Sequence, residues 1–348
     1  MLRARSRPST TRLHPLALVL ALAALAATLV FALVAGSGEL GWSRVLAEIG
    51  AQLTGGTSPL SEREAAIVWE LRMPRVLLAG LVGAALAGAG AAFQGVFRNP
   101  LADPYLLGAA AGAGMAATIV VVFAPAVTTW LVGPLPLAAF AGALAGVGLS
   151  WLLGRSAGGS GTATLLLAGV AVTAFLTAIQ TFVQQLNTDT IKQVYTWTLG
   201  GLNVTGWTDV WLALPYIALA AVVLTAASRL LDVLTLGDAE AASLGLHPGR
   251  VRLVLLAAAS LATAAAVAVS GLIGFVGIVV PHLVRLLAGA SYRVIVPLSL
   301  IGGAVFLILA DFVARTIMPG ELPLGVVTAF AGAPFFAVVL RTSGRRVA

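Results

Sequence analysis

Charge is scarce in this sequence. Asp, Glu, Lys and Arg make up 9% of 348 residues, where a soluble domain carries about 25%. Apolar residues account for 59%, and the mean hydropathy is +1.02. Such a chain cannot cover its own surface in water, so the bilayer is its solvent. Cysteine is absent, which excludes disulfides, thiolate metal sites and iron–sulfur ligation in this chain. The three histidines, His14, His247 and His282, are far apart and form no His-Glu-x-x-His pair, so the usual ligands of a membrane metalloprotease are missing. Lys192 is the only lysine, and no Gly-x-x-x-x-Gly-Lys-Ser/Thr motif occurs. No cofactor is therefore expected in this chain, and any ATP and Mg chemistry must come from a partner. A buried chain of acids is also missing: Asp311 falls inside a predicted span near its end, and Glu70 stands at the outer end of span two. The net charge of +7 reflects membrane topology rather than nucleic-acid binding.

What remains is a series of long apolar runs. Lipid offers backbone groups no partner, so spanning segments are helices or closed barrels. Barrel strands would alternate apolar and polar residues; these runs are continuous and near the roughly 20 residues of a spanning helix. The fold class is all-α and polytopic, a single membrane domain over 1–348. Ten spans are predicted, at Pro15–Ala35, Ile67–Phe93, Tyr105–Ala124, Pro134–Leu153, Thr164–Gln184, Val210–Ala227, Arg252–Gly271, Ile273–Leu287, Val294–Phe312 and Leu322–Leu340. The first follows Arg3, Arg5, Arg7 and Arg12 and is longer than a signal-peptide core, so it reads as a retained helix. Arginines concentrate on one side if the N-terminus is cytoplasmic, which places both termini in the cytoplasm.

Gly108 with Gly112 and Gly142 with Gly146 form small-xxx-small faces, which read as sites of close helix packing. The strings at Arg75–Ala79 and Arg252–Ala257, and at Gly169–Phe175 and Gly325–Phe330, echo each other in spans of opposite direction. That is the pattern of an inverted repeat.

Four polar clusters stand out. Arg72-Met-Pro-Arg75 opens span two with two arginines about one turn apart, either a fork for carboxylates or a pair snorkelling to the interface. Asn99-Pro100 and Asp103-Pro104 force turns after span two. The longest inner loop, 229–251, holds a short helix that starts at Asp238 and stops at Gly245. Its apolar face, Ala241 with Leu244, calls for a protein partner. Finally, glycines at 271, 274 and 277 precede Pro281, His282 and Arg285, which suggests a broken helix. Asp311 and Arg315 are four residues apart and placed to pair.

Together these strings resemble the FecCD family of permeases, the membrane subunits of type II ABC importers for ferric siderophores, haem and cobalamin. The matching segments are Arg-Met-Pro-Arg at 72–75, Arg-Asn-Pro-Leu-Ala-Asp-Pro at 98–104, Leu-Leu-Leu-Ala-Gly at 165–169, Trp-Thr-Leu-Gly-Gly at 197–201, Leu-Gly-Asp-Ala-Glu-Ala-Ala-Ser-Leu-Gly at 236–245, Gly-Phe-Val-Gly-Ile-Val-Val-Pro-His-Leu-Val-Arg at 274–285 and Ala-Asp-Phe-Val-Ala-Arg at 310–315 with Glu-Leu-Pro-Leu-Gly at 321–325. The resemblance implies a homodimer in the bacterial inner membrane, served by two cytoplasmic ATPases and an extracytoplasmic binding protein. It assigns Arg72, Arg75 and Arg315 to docking of the binding protein. Asn99, Leu101 and Thr162 match gate positions, with Gly161 and Ala163 where some relatives carry small polar residues. Gly237, Asp238, Glu240, Ala241, Leu244 and Gly245 match the loop that contacts the ATPase. Ferric siderophore is the first expectation for cargo, ahead of haem and cobalamin. The competing reading is an ion-coupled secondary transporter, which would want carboxylates near the bilayer centre.

Overall fold

The computed structural model describes residues 13–35, 41–124, 133–157, 161–203, 206–318 and 320–344. The basic segment 1–12, Glu39, Arg345 and Arg346 lie outside the described residues. Fifteen α-helices follow in order: α1 Pro15–Val34, α2 Trp42–Thr54, α3 Glu62–Ala66, α4 Met73–Phe97, α5 Ala109–Phe123, α6 Pro134–Ser156, α7 Thr162–Leu186, α8 Ile191–Thr198, α9 Thr208–Ala226, α10 Ser228–Leu234, α11 Asp238–Ser243, α12 Pro248–Ser270, α13 Val276–Ala288, α14 Tyr292–Thr316 and α15 Leu324–Gly344. A π-helical turn, Ile67–Arg72, joins α3 to α4, and a 3-10 turn, Pro104–Leu107, leads into α5. No strand occurs among the described residues.

Each of the ten predicted spans coincides with one helix. Among the described residues, seven helical stretches are long and apolar enough to cross a membrane, while α5, α13 and the Leu324–Val339 stretch of α15 are apolar but shorter. Thus the third and eighth spans differ from expectation: α5 has 15 residues and α13 has 13. Both begin inside the bundle. The turns at Asn99-Pro100 and Asp103-Pro104 fold the chain back in before α5 starts. Pro104 lies against Gly277, near the start of α13. Apolar runs alone could not show this, because residues facing protein and residues facing lipid are equally apolar.

At the centre is α4. Val76, Leu78, Val82, Leu86 and Phe93 are among its buried residues, and α9, α12, α13 and α14 pack around it. A helix apolar on every side belongs in the core. Its many alanines and glycines let neighbours come close. In lipid, that closeness supplies the dispersion contact that holds helices together. The same device joins α5 to α6. A Cβ on Gly112 would overlap the carbonyl of Gly142, and one on Gly142 would overlap the carbonyl of Gly112. The small-xxx-small faces are therefore packing faces, as read from the sequence. Gly142→Leu should cost about 1–3 kcal/mol through overpacking and lower the melting temperature in detergent. Gly148→Ala, on the same helix, should not, since a Cβ there meets nothing within 4 Å. Equal melting of the two variants would refute this packing account.

The chain is broken where the sequence suggested. After Ser270, residues 271–275 leave the helix, with Gly271 at φ 65° and Phe275 at φ 69°. This stretch meets two others. Gly201 N–H donates to the Ser270 carbonyl at 2.8 Å, Leu324 N–H to Gly200 at 2.9 Å and Gly325 N–H to Leu199 at 3.1 Å. Three irregular segments thus satisfy one another's backbone groups, as non-helical backbone at membrane depth requires. The echoing pairs also run in opposite directions: Arg75 begins α4 at one end of the bundle, and Arg252 begins α12 at the other.

Candidate functional site

The candidate functional residues gather at the two ends of the bundle. At one end, Arg75 on the first turn of α4 reaches across to α14 and the segment before α15. Its guanidinium holds Glu321 through two bonds, Nη1 to Oε1 at 2.9 Å and Nη2 to Oε2 at 2.8 Å. It also donates to Asp311 Oδ1 from Nε at 3.1 Å and from Nη2 at 3.0 Å. Such bidentate pairing fixes direction as well as distance. Arg315 approaches Asp311 Oδ2 at 3.0 Å, the i, i+4 pair expected from spacing. Asp311 is 1% exposed, so two arginines compensate one buried carboxylate. Below this cluster lies a cavity of about 270 Å³, lined in part by Arg75, Asn203, Asp209, Ser270 and Glu321.

Arg72 is buried, and its Nη1 donates to the carbonyl of Leu33 at 3.1 Å. The π-helical turn before α4 directs this bond toward α1, while the Arg75 guanidinium turns toward α14. Glu321, rather than an arginine, is the exposed member of the cluster, with half of its side chain accessible. The resemblance assigned no role to Glu321; the sole hint in the sequence was an acid beside the arginine-bearing end of span nine.

At the opposite end, α4 terminates on Arg98, a non-glycine residue at φ 50°. Asn99 caps the following turn, its Oδ1 accepting from Leu101 N–H at 3.0 Å. Thr162 is the first residue of α7. Among the described residues, no hydrogen bond joins Thr162 to Asn99 or Leu101; all three lie at the same end.

The short helix α11 is built as its sequence implies. Gly237 precedes it at φ 135°, and Gly245 follows it at φ 82°. Gly245 N–H donates to Ala242 at 2.9 Å and Leu246 N–H to Ala241 at 3.1 Å, the Schellman closure that glycine favours. The Glu240 carboxylate folds back over Gly237. One expectation fails: Ala241 is 0% exposed, packed in this chain's own core, while Leu244 is 63% exposed. The two residues do not form one open apolar face, because α11 lies against its own bundle through Ala241. Of the two, Leu244 projects outward.

Asp238 connects this helix to the rest. It pairs with Arg98, whose Nε also donates to the Leu234 carbonyl at 2.9 Å. Both carboxylate oxygens of Asp238 accept from Arg252 Nη2 at 3.0 Å. These bonds, first from Arg252 and then from Arg98, hold the Asp238 pKa below the ordinary aspartate value. Asp232 plays a similar part for α14, accepting from Ser291 Oγ at 2.7 Å and Tyr292 N–H at 2.6 Å. A carboxylate at a helix N-terminus satisfies orphan donors and complements the helix dipole. Arg98, Arg252 and Asp232 were not foreseen as partners here. Arg285 proves structural, donating to Gln94 at 3.2 Å and Tyr292 Oη at 3.3 Å.

One end therefore offers carboxylate-bound arginines around a cavity. The other offers a small helix wired by ion pairs to the loop after the central helix. Comparison with known proteins fits this layout. The model of the FecCD transport family matches residues 24–342. The cobalamin import system permease BtuC of Halobacterium salinarum is 42% identical over 305 residues, 88% of this chain and 80% of that one. The Fe(3+) dicitrate permease FecC of Escherichia coli is 38% identical over 303 residues, 84% of this chain and 88% of that one. A solved structure described as an inward-facing metal-chelate type ABC transporter superposes with a TM-score of 0.82 at 26% identity, covering 94% of this chain and all of the other. With ten apolar helices in family order and a family match across nearly its whole length, this chain belongs to the FecCD transport family and is a multi-pass membrane permease.

Proposed function

We propose that this permease moves an iron chelate from an extracytoplasmic binding protein to the cytoplasm by alternating access, driven by separate ATPase subunits. Ferric siderophore is the first candidate for cargo, with haem and cobalamin next. The functional unit is a pair of these chains with two ATPases, which bind ATP and Mg, and both termini are cytoplasmic. The observation that carries this reading is α11. It is a capped helix at one end of the bundle, with Leu244 exposed and Asp238 ion-paired to the residue that ends α4. That is the arrangement a mechanical contact needs, an outward anchor joined to an inward linkage.

In this reading Asn99, Leu101 and Thr162 form the cytoplasmic gate, and the coupling surface runs from Gly237 to Gly245. Arg72, Arg75 and Arg315 belong to the docking end. Arg75 receives a carboxylate of the binding protein in place of Glu321, Arg315 shares with it the Asp311 that orients its guanidinium, and Arg72 ties the start of α4 to α1. Charge pairs of this kind set orientation and association rate more than net affinity. Selectivity among chelates then rests largely with the binding protein.

The test is uptake into proteoliposomes containing the permease, its ATPase subunits and its binding protein, with ferric siderophore as probe. Uptake should require ATP and stop with vanadate. Uptake that follows a proton gradient without ATP would overturn the reading in favour of a secondary transporter.

A further inference from the structure

A groove on the lipid-facing side of the bundle lies outside everything described so far. Helices α6 and α12 meet tightly through Ala139 and Ala143 against Ala264 and Val267, all 0% exposed. Farther along they part, and with α9 they enclose an open groove of about 580 Å³. Val147, Gly148, Trp151, Val223, Leu253 and Leu261 are among its lining residues, and the lining is almost wholly apolar. From Leu253 to Leu261 the groove follows α12 for about 12 Å at 1.5 Å per residue. One leaflet of hydrocarbon is about 15 Å deep.

Two arginines stand about one helical turn from residues that line the groove. The Arg155 guanidinium lies over the Trp151 ring, 5.3 Å from its centroid. Arg250 stands one turn before Leu253 and Val254, on the same face of α12. Both arginines are exposed, and neither forms an ion pair among the described residues. The nearby acids are committed elsewhere: Asp238 to Arg98 and Arg252, Asp232 to the start of α14. An apolar slot of one leaflet's depth thus runs beside two helix ends that each carry an exposed arginine. Basic pockets between membrane helices bind anionic headgroups, and tryptophan favours the same depth.

We propose that this groove binds one anionic diacyl phospholipid, an acyl chain along α12 and the phosphate between Arg155 and Arg250. The test uses the intact permease, extracted from vesicles of mixed phosphatidylglycerol and phosphatidylcholine, with retained lipid counted by native mass spectrometry. Wild type should keep one phosphatidylglycerol per chain. Arg155→Gln with Arg250→Gln should weaken retention about thirtyfold, from two surface charges. Gly148→Leu should abolish it, filling the groove from a position where an added Cβ meets nothing within 4 Å. Leu261→Phe provides a second block if the first lowers the melting temperature. Equal retention of phosphatidylcholine, or retention unchanged in both blocked variants, overturns the proposal. So does protection by inorganic phosphate alone. Loss of ATPase-subunit binding in the arginine variant, with lipid retained, would assign the face to a protein partner instead and also overturn it.

Discussion

An Asp238→Asn permease is expected to support ATP hydrolysis within about twofold of wild type while importing at least tenfold less cargo. The Asp238 side chain bonds both the residue ending α4 and the start of α12. Neutralising it removes the charge from two charge-assisted pairs, each roughly twice as strong as a neutral hydrogen bond. The fold should survive, because half of the Asp238 side chain is exposed and Ala241 still anchors α11 in the core. What is lost is stiffness between α11, the proposed contact with the ATPase, and the loop carrying Asn99 and Leu101. Arg98→Gln should give the same split between hydrolysis and uptake. Asp238→Glu should recover part of the uptake, since the charge returns with one extra methylene. Hydrolysis and uptake are measured in the same proteoliposomes; if they fall together, or if neither changes, the ion pairs do not transmit motion.

The same residue predicts a pH response. Its folded pKa lies below the ordinary value of 3.8, so the pair is fully formed above that value and is lost only as pH falls through the depressed one. Between pH 5 and 8, the ratio of uptake to hydrolysis should therefore show no titration from Asp238.

At the other end, Glu321→Gln should tighten docking of the binding protein several-fold, and Arg75→Gln should nearly abolish it. Glu321 is half exposed and holds Arg75 through two bonds. A carboxylate arriving from outside must displace it, so removing its charge removes the competitor. Replacing Arg75 has the opposite effect, and it also takes one of two cations from Asp311, which is 1% exposed. Breaking a buried pair by deleting one partner costs about 3–5 kcal/mol. Arg315 remains at 3.0 Å, so the loss should fall at the lower end and appear as a reduced melting temperature. Arg72→Gln separates stability from docking: its Leu33 bond ties α1 to α4, so melting should fall while docking affinity stays. Docking is read by binding-protein affinity at low and high salt, because exposed pairs are screened within about 8–10 Å at physiological ionic strength. Unchanged docking in Glu321→Gln and Arg75→Gln would remove Arg75 from the interface.

Several parts of this protein could be read directly along the chain because their causes are local. A charged group in lipid is costly wherever it falls, so uninterrupted apolar runs mark the ten helices. Capping acts within one turn, so Asp238 and Gly245 bracket α11 before any fold is known. Helical spacing alone pairs Asp311 with Arg315. Glycines four apart announce the contact of α5 with α6. The family strings extend that reading to the proposed gate and docking end. None of these inferences needs to know what lies across the bundle.

The decisive bonds do need it. Arg75 and Glu321 are 246 residues apart, Arg98 and Asp238 are 140 apart, and Asp232 caps a helix that starts 60 residues later. Nothing in the spacing selects these partners over other acids and arginines at the same membrane face. The lengths of α5 and α13, and the division of α11 between buried Ala241 and exposed Leu244, were likewise settled by packing. Sequence determines which residues shun water, since that preference belongs to each side chain alone. Whether such a residue faces lipid, a neighbouring helix or an open groove depends on which helices arrive beside it, and that is decided only when the whole bundle closes.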